Sequence, residues 1–366
     1  MINKPIILGA ILLVLSILSS CDLFNQEPIE EEKIEIIPDK IYVDIPNSIC
    51  SSELEERFKT MTGDSIYNYM RYFVYLSQNA NRIVQKTYNR LLSIDNQGVL
   101  EFSFTGVDGI TKNVIIRENY PIDGDSSYYY MEIYNKNYSD LALKSVWKFN
   151  PLQQIIIFHP SKLDQNEMTD HPNALVRIEY QVQAEGTDYD TLSSTFIYGL
   201  TDTIAHIYTP DNILLSIGKK GNMIELIGST NNPNAYFFDT NYSGGRNWTF
   251  FAKADNVKNI ACAQIALPPS WVESIENIFA DYSIKKVFAD ELRISNPEFA
   301  YLTDLELFNM VGINPEELES PGYFDSEGFI SAGPNIPAGF ENLDNFELFG
   351  PYIPKTVRDS TIILQY

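Results

Sequence analysis

The period of the hydrophobic positions changes once along the chain. From Asp64 to about Ile94, Ile66, Met70, Phe73, Ala80, Val84 and Leu91 step by three, four or seven. That spacing places them on one stripe of an α-helix. Tyr67, Tyr69, Tyr72 and Tyr75 widen the stripe. A helix of about 30 residues is about 45 Å long at 1.5 Å per residue, so it needs a large partner surface. From Val99 the period becomes two: in "VLEFSFT", Leu100, Phe102 and Phe104 alternate with Glu101, Ser103 and Thr105. Asp108-Gly109 and Asp123-Gly124 separate strand-like runs, a strong hairpin signal because the central residues of such turns need positive φ. Further strands are expected at "SSYYYMEIYN", "LALKSVWKF", "QQIIIFH", "ALVRIEYQV", "TLSSTFIYGL", "TIAHIY", "NILLSI", "NMIELIG", "AYFFD", "NWTFFAKA" and "NIACAQIAL".

Strands joined by short turns are mostly antiparallel, because parallel pairs need long crossovers. A flat open sheet of about a dozen strands is unusual, so it has to curl, split or close. The expected fold is therefore β-rich α+β. It has a large curled antiparallel meander sheet, or open half-barrel, covered by the long N-terminal helix. Short helices and an irregular wrap follow.

Ser52-x-x-Glu55 opens a short helix ended by Gly63, and Asp64 caps the long one. "KIYVDI" reads as an edge strand. Ser270-x-x-Glu273 caps a helix after two prolines, and Asn296-Pro297-Glu298 and Asn314-Pro315-Glu316 repeat one N-terminal grammar. Residues 320–357, dense in Gly, Pro and Phe, read as ordered irregular chain, and "STIILQY" as a strand. The organisation expected is a signal peptide at 1–20, an acidic extended tether at 21–47, a helix-plus-β domain at 48–290, and a C-terminal annex at 291–366 packed on that domain.

The N-terminus carries the most specific signal. Lys4 precedes an apolar run from Ile6 to Leu18, shorter than the roughly 20 residues of a membrane-spanning helix and of the length of a secretory h-region. Leu18-Ser19-Ser20-Cys21 then resembles the lipobox of bacterial lipoproteins. The resemblance covers the first 21 residues only. It implies cleavage before Cys21 and acylation there, with palmitate-type chains holding the protein on a membrane. Prolines at 28, 38 and 46 and the acidic run between them suit a tether. Asp22 resembles an inner-membrane retention signal in one bacterial group and part of a surface-export signal in others. The outer membrane, on its periplasmic or surface face, is the favoured address.

Charge narrows the partners. Lys and Arg number 26 against 49 Asp and Glu, for a net charge of −23. Nucleic acid is excluded as an expected partner, since phosphate binding needs clustered cations. An exported protein meets an oxidising compartment, so a Cys50–Cys262 bridge is one expectation and two buried free thiols the other.

Catalytic signatures are missing: there is no Gly-x-Ser-x-Gly, P-loop, His-Glu-x-x-His or dinucleotide glycine pattern. Asp239, Asn241, Ser243 and Gly244 follow the opening of a calcium loop, but the closing position holds Phe250 rather than a bidentate acid. Ca²⁺ is the one cofactor the sequence raises, and a plain turn explains the same residues. His171 with Asp164, Glu167 and Asp170 is a weaker cluster of the same kind. The expected function is a non-catalytic, membrane-anchored envelope lipoprotein with a binding or structural role. Its ligand is apolar or amphipathic if the curled sheet holds it. The alternatives are a surface glycan- or protein-binding module built on Tyr128, Tyr130 and Tyr134, and a hydrolase with a scattered carboxylate site.

Overall fold

A computed structural model describes residues 40–52, 61–92, 99–106, 108–122, 125–135, 138, 140–149, 151–166, 172–182, 189–201, 208–239, 241–242, 244–272, 277–330 and 340. The predicted helix α1 spans Gly63–Leu92. Thr62 and Ser65 cap it by exchanging backbone N–H to hydroxyl bonds at 3.3 and 3.2 Å. Asp64, expected as the cap, instead accepts from the Phe329 N–H. Eleven strands follow: β1 Val99–Thr105, β2 Thr111–Ile122, β3 Asp125–Asn135, β4 Asp140–Phe149, β5 Leu152–Phe158, β6 Val176–Val182, β7 Thr191–Tyr198, β8 Asn212–Lys220, β9 Met223–Asn231, β10 Thr249–Asp255 and β11 Ile260–Ala266. A four-residue helix α2, Pro160–Leu163, interrupts them after β5. Two short strands, β12 Gly322–Phe324 and β13 Phe329–Ile330, complete a 13-stranded antiparallel sheet in simple sequence order. The sheet is the predicted meander, and it does not close.

The helix crosses the strands rather than following them. Tyr67 packs on Phe324 of β12 at 5.7 Å between ring centroids, Phe73 on Trp248 just before β10 at 5.5 Å, and Tyr88 on Phe149 of β4 at 5.7 Å. From β12 to β4 is eight strand steps, about 38 Å at 4.8 Å each. From Tyr67 to Tyr88 the helix rises about 32 Å. The shorter chord along the helix fits a concave sheet face. Two glycines admit bulky rings there. A Cβ on Gly322 would meet the Tyr67 ring at 2.3 Å, and one on Gly228 the Phe250 ring at 2.0 Å.

Residues 40–47 depart from the expected tether. Ile41, Val43 and Ile45 are buried, and "KIYVDI" pairs with no strand. Its backbone bonds go elsewhere. The Ile41 N–H donates to Gln85 Oε1 at 2.7 Å, the Ile41 carbonyl accepts from Tyr180, and the Asn47 carbonyl accepts from Arg71 Nη2. The segment is a strap running antiparallel to α1, so the globular body begins by residue 40. The lipobox with Cys21, the 52–55 capping box, Asp123-Gly124, "TIAHIY" and "STIILQY" lie outside the described residues, wholly or nearly so.

"AYFFD" is irregular chain rather than a strand, because its consecutive Phe237 and Phe238 N–H groups both donate to Glu291. Ser270 gives its hydroxyl to the Gly244 carbonyl, and Glu273 is outside the described residues. The C-terminal helices are α3 Ile278–Asp281, α4 Ile284–Ser295 and α5 Asp304–Val311. Asn296 and Asn314 cap short 3-10 turns by accepting from Glu298 and Glu316 N–H groups, as predicted. α4 runs through the expected 290/291 boundary, and Leu292, Leu307, Phe308 and Phe324 join the same core as α1. Among the described residues no helix is long and apolar enough to cross a membrane.

Candidate functional site

The concave face is where a curled sheet would hold an apolar or amphipathic ligand. Strand pairing places Trp147, Gln154, Tyr180 and Thr195 in one row across β4 to β7 on that face. α1 lies on it, with Ile66, Met70 and Val84 at 0% exposure and Phe73 at 1%. Thr195 donates to Asn81 Oδ1 of the helix at 2.5 Å. The side chains that the sequence reading offered as either lining or core are therefore core. Two polar atoms at this helix–sheet contact, Trp147 Nε1 and Asn81 Nδ2, have no hydrogen-bond partner among the described residues.

The convex face is built differently. Alternation along β3 sends Tyr129, Met131 and Ile133 into the core and Tyr128 and Tyr130 to the other side. Tyr134 follows the same alternation to the convex side, and a bulge in β4 at Ala142 and Leu143 brings Leu141 beside it, with Ile157. Exposed Tyr138 meets Tyr134 edge-on at 5.8 Å. Tyr128 and Tyr134 are half-buried, whereas Tyr130 is buried. Lys148 stands over the Tyr128 ring at 5.6 Å and Lys144 over the Tyr130 ring at 5.1 Å, within the reach of a cation–π attraction. Tyr130 donates to Glu132, and Arg177 pairs with Glu179 at 2.7 Å. Next to the core, Tyr134 has its phenol pushed up to about 12, first by burial and then by its bond to the Glu132 carboxylate. It stays neutral and keeps its O–H donor at any physiological pH.

The calcium-like loop closes on itself. Asp239 Oδ1 accepts from the Asn241 N–H at 3.0 Å, an Asx turn, and Ser243 lies outside the described residues. The carboxylate that reaches this region from afar is Glu291. Its Oε2 accepts from the Phe237 and Phe238 N–H groups at 3.0 and 3.1 Å, and its Oε1 from Arg246 Nε at 2.8 Å. Arg246 lies over the Tyr242 ring at 4.4 Å. A guanidinium thus sits against this carboxylate, and backbone amides take its other oxygen.

Asp164 accepts from the Asn166 N–H, while Glu167, Asp170 and His171 are outside the described residues. Among the described residues no group of three or more His, Cys, Asp and Glu comes together. The buried Lys112 ammonium is fully satisfied by Asp108, Asn135 and the Lys162 carbonyl at 2.8, 2.7 and 2.9 Å, which clips the β1–β2 hairpin to α2.

The two described thiols are free and buried. Cys50 lies on the helix side, donating to Gln78 Oε1, with burial pushing its pKa up to about 12. On β11 Ala261 and Ala263 join the helix-side core, so Cys262 points to the opposite face and donates to the Phe340 carbonyl at 2.9 Å. A disulfide needs Cα atoms within about 7 Å, and here the sheet lies between the thiols. The expected result is no mobility change on non-reducing gels and alkylation of both thiols after denaturation. A single band shifted by reductant would contradict the arrangement.

Comparison with known protein families, curated proteins and solved structures gives no match for this chain.

Proposed function

We propose that the protein is a non-catalytic, lipid-anchored cell-envelope protein that binds its partner on the convex face of the sheet. The observation that carries this is the filling of the concave face. A 30-residue helix with buried Ile66, Met70, Phe73 and Val84 occupies the place a carried ligand would take. The convex aromatic and charged surface of β3 to β7 is then the broad face available for recognition. The anchor at Cys21 and the outer-membrane address come from the lipobox resemblance and the acidic stretch after it.

Substituting Cys21→Ala tests the anchor. The expected outcome is loss of incorporation of a palmitate analogue and movement of the protein from the membrane pellet to the soluble fraction. Retention of label, or of membrane association, would overturn the reading.

A second reading keeps an amphipathic ligand between α1 and the sheet. It is favoured by Trp147 Nε1 and Asn81 Nδ2, which have no partner among the described residues, since buried polar atoms usually find partners.

A further inference from the structure

We infer that the convex face of β4 to β8 is a track for an anionic polysaccharide. This rests on the reading of that face as the binding side, and it names the ligand class.

Two cross-strand rows carry the inference. The first is polar. Lys148, Gln153, Gln181, Ser194 and Ser216 pair in register, one from each of five successive strands. All are half-exposed or exposed. At about 4.8 Å per strand the row spans about 19 Å. The second row, two residues along each strand, is Val146, Ile155, Glu179, Phe196 and Leu214, apolar but for Glu179; Ile155 and Leu214 reach the surface, and Val146 and Phe196 are buried. A row of hydroxyl and amide groups beside an apolar row matches the two-sided chemistry of a sugar chain. Such a chain has a hydroxyl-bearing edge and a C–H face that packs on rings and aliphatic side chains.

Charge selects an anionic chain. Lys144 and Lys148 rest on the Tyr130 and Tyr128 rings. The carboxylates among them, Glu132 and Glu179, are engaged by the Tyr130 hydroxyl and Arg177. Lys144, Lys148 and Arg177 stand there against Glu132 and Glu179, a small excess of cations in a chain with 26 Lys and Arg against 49 Asp and Glu. A carboxylated or sulfated polymer gains there what a neutral one does not. An acidic polypeptide would meet the ammonium groups but lacks the hydroxyl edge for the polar row.

The test uses the full-length lipidated protein in detergent micelles, with four probes: polygalacturonate, dextran sulfate, uncharged dextran and polyglutamate. The expected result is binding to one or both anionic polysaccharides at least about tenfold tighter than to dextran or polyglutamate. The double variant Lys144→Gln/Lys148→Gln loses about tenfold or more with its unfolding midpoint little changed, and Tyr128→Ala weakens binding in the same direction. Equal binding to polyglutamate would replace the polysaccharide by an acidic protein partner. Unchanged binding by the double variant, or no binding to either anionic polysaccharide, would overturn the inference. If that protein still carries its Cys21 label and sediments with membranes, the lipoprotein reading stands while the polysaccharide fails.

Discussion

Replacing Glu291 by alanine lowers the stability of the fold by about 3–5 kcal/mol, the usual cost of removing one partner from a buried charge pair. The carboxylate is fully buried, and three donors converge on it: two adjacent backbone N–H groups and the Arg246 guanidinium. Alanine strands all three. Arg246 keeps its 3.4 Å bond to the Leu267 carbonyl and its place over Tyr242, but loses its counter-charge. Chemical denaturation of the single variants and of Arg246→Met/Glu291→Leu completes a double-mutant cycle. The double variant is expected to cost clearly less than the sum of the singles, because no charge is left unpaired. Its stability is not expected to return fully, since the amides of Phe237 and Phe238 still lack an acceptor. A loss under about 1 kcal/mol for Glu291→Ala would mean that water replaces the carboxylate and that the loop is not held in this way.

Phe73→Ala is expected to cost about 3–5 kcal/mol, the range for deleting a large buried aromatic side chain. Phe73 stands at 1% exposure in the middle of α1, edge-on to Trp248 and within 6.5 Å of Tyr69 and Tyr72 between centroids. Truncation leaves a cavity at the centre of the helix–sheet contact, where the surrounding rings relax only partly. This substitution separates the two readings of the concave face. If α1 is core, stability falls and extracted protein holds no lipid beyond its anchor. If α1 is a lid over an amphipathic ligand, the variant folds with little loss and takes up an offered fatty acid more readily. Denaturation together with mass spectrometry of solvent extracts gives the answer.

Much of the fold was legible in the residues. The helix stripe from Ile66 to Val84 and the alternation in "VLEFSFT" act within a turn or a strand, and local spacing reports them. The hairpin at Asp108-Gly109 and the caps at Asn296 and Asn314 were readable for the same reason, although Gly109 alone takes the positive φ and the loop is closed by the Gly106–Ile110 bond. "AYFFD" and "KIYVDI" were misread because their apolar patterns suit strands while their backbone partners lie far away. Glu291 is 53 and 54 residues from the two amides it binds, and Gln85 is 44 from Ile41. β12 and β13, with three and two residues, are too short to show a period. They exist because the edge of β11 offers β12 a ladder and β12 in turn offers one to β13.

By itself the sequence determined the class of the fold, the order of its strands and the two faces of β3, because side-chain direction alternates with residue number. It also carries the stretch Leu18-Ser19-Ser20-Cys21, which resembles a lipobox. Tertiary structure alone decided that α1 fills the concave face, that Cys50 and Cys262 sit on opposite sides of the sheet, and that Lys148, Gln153 and Gln181 form one row. Those relations depend on register between strands and on closure over tens of residues. Long-range packing sets both, and no local pattern encodes them.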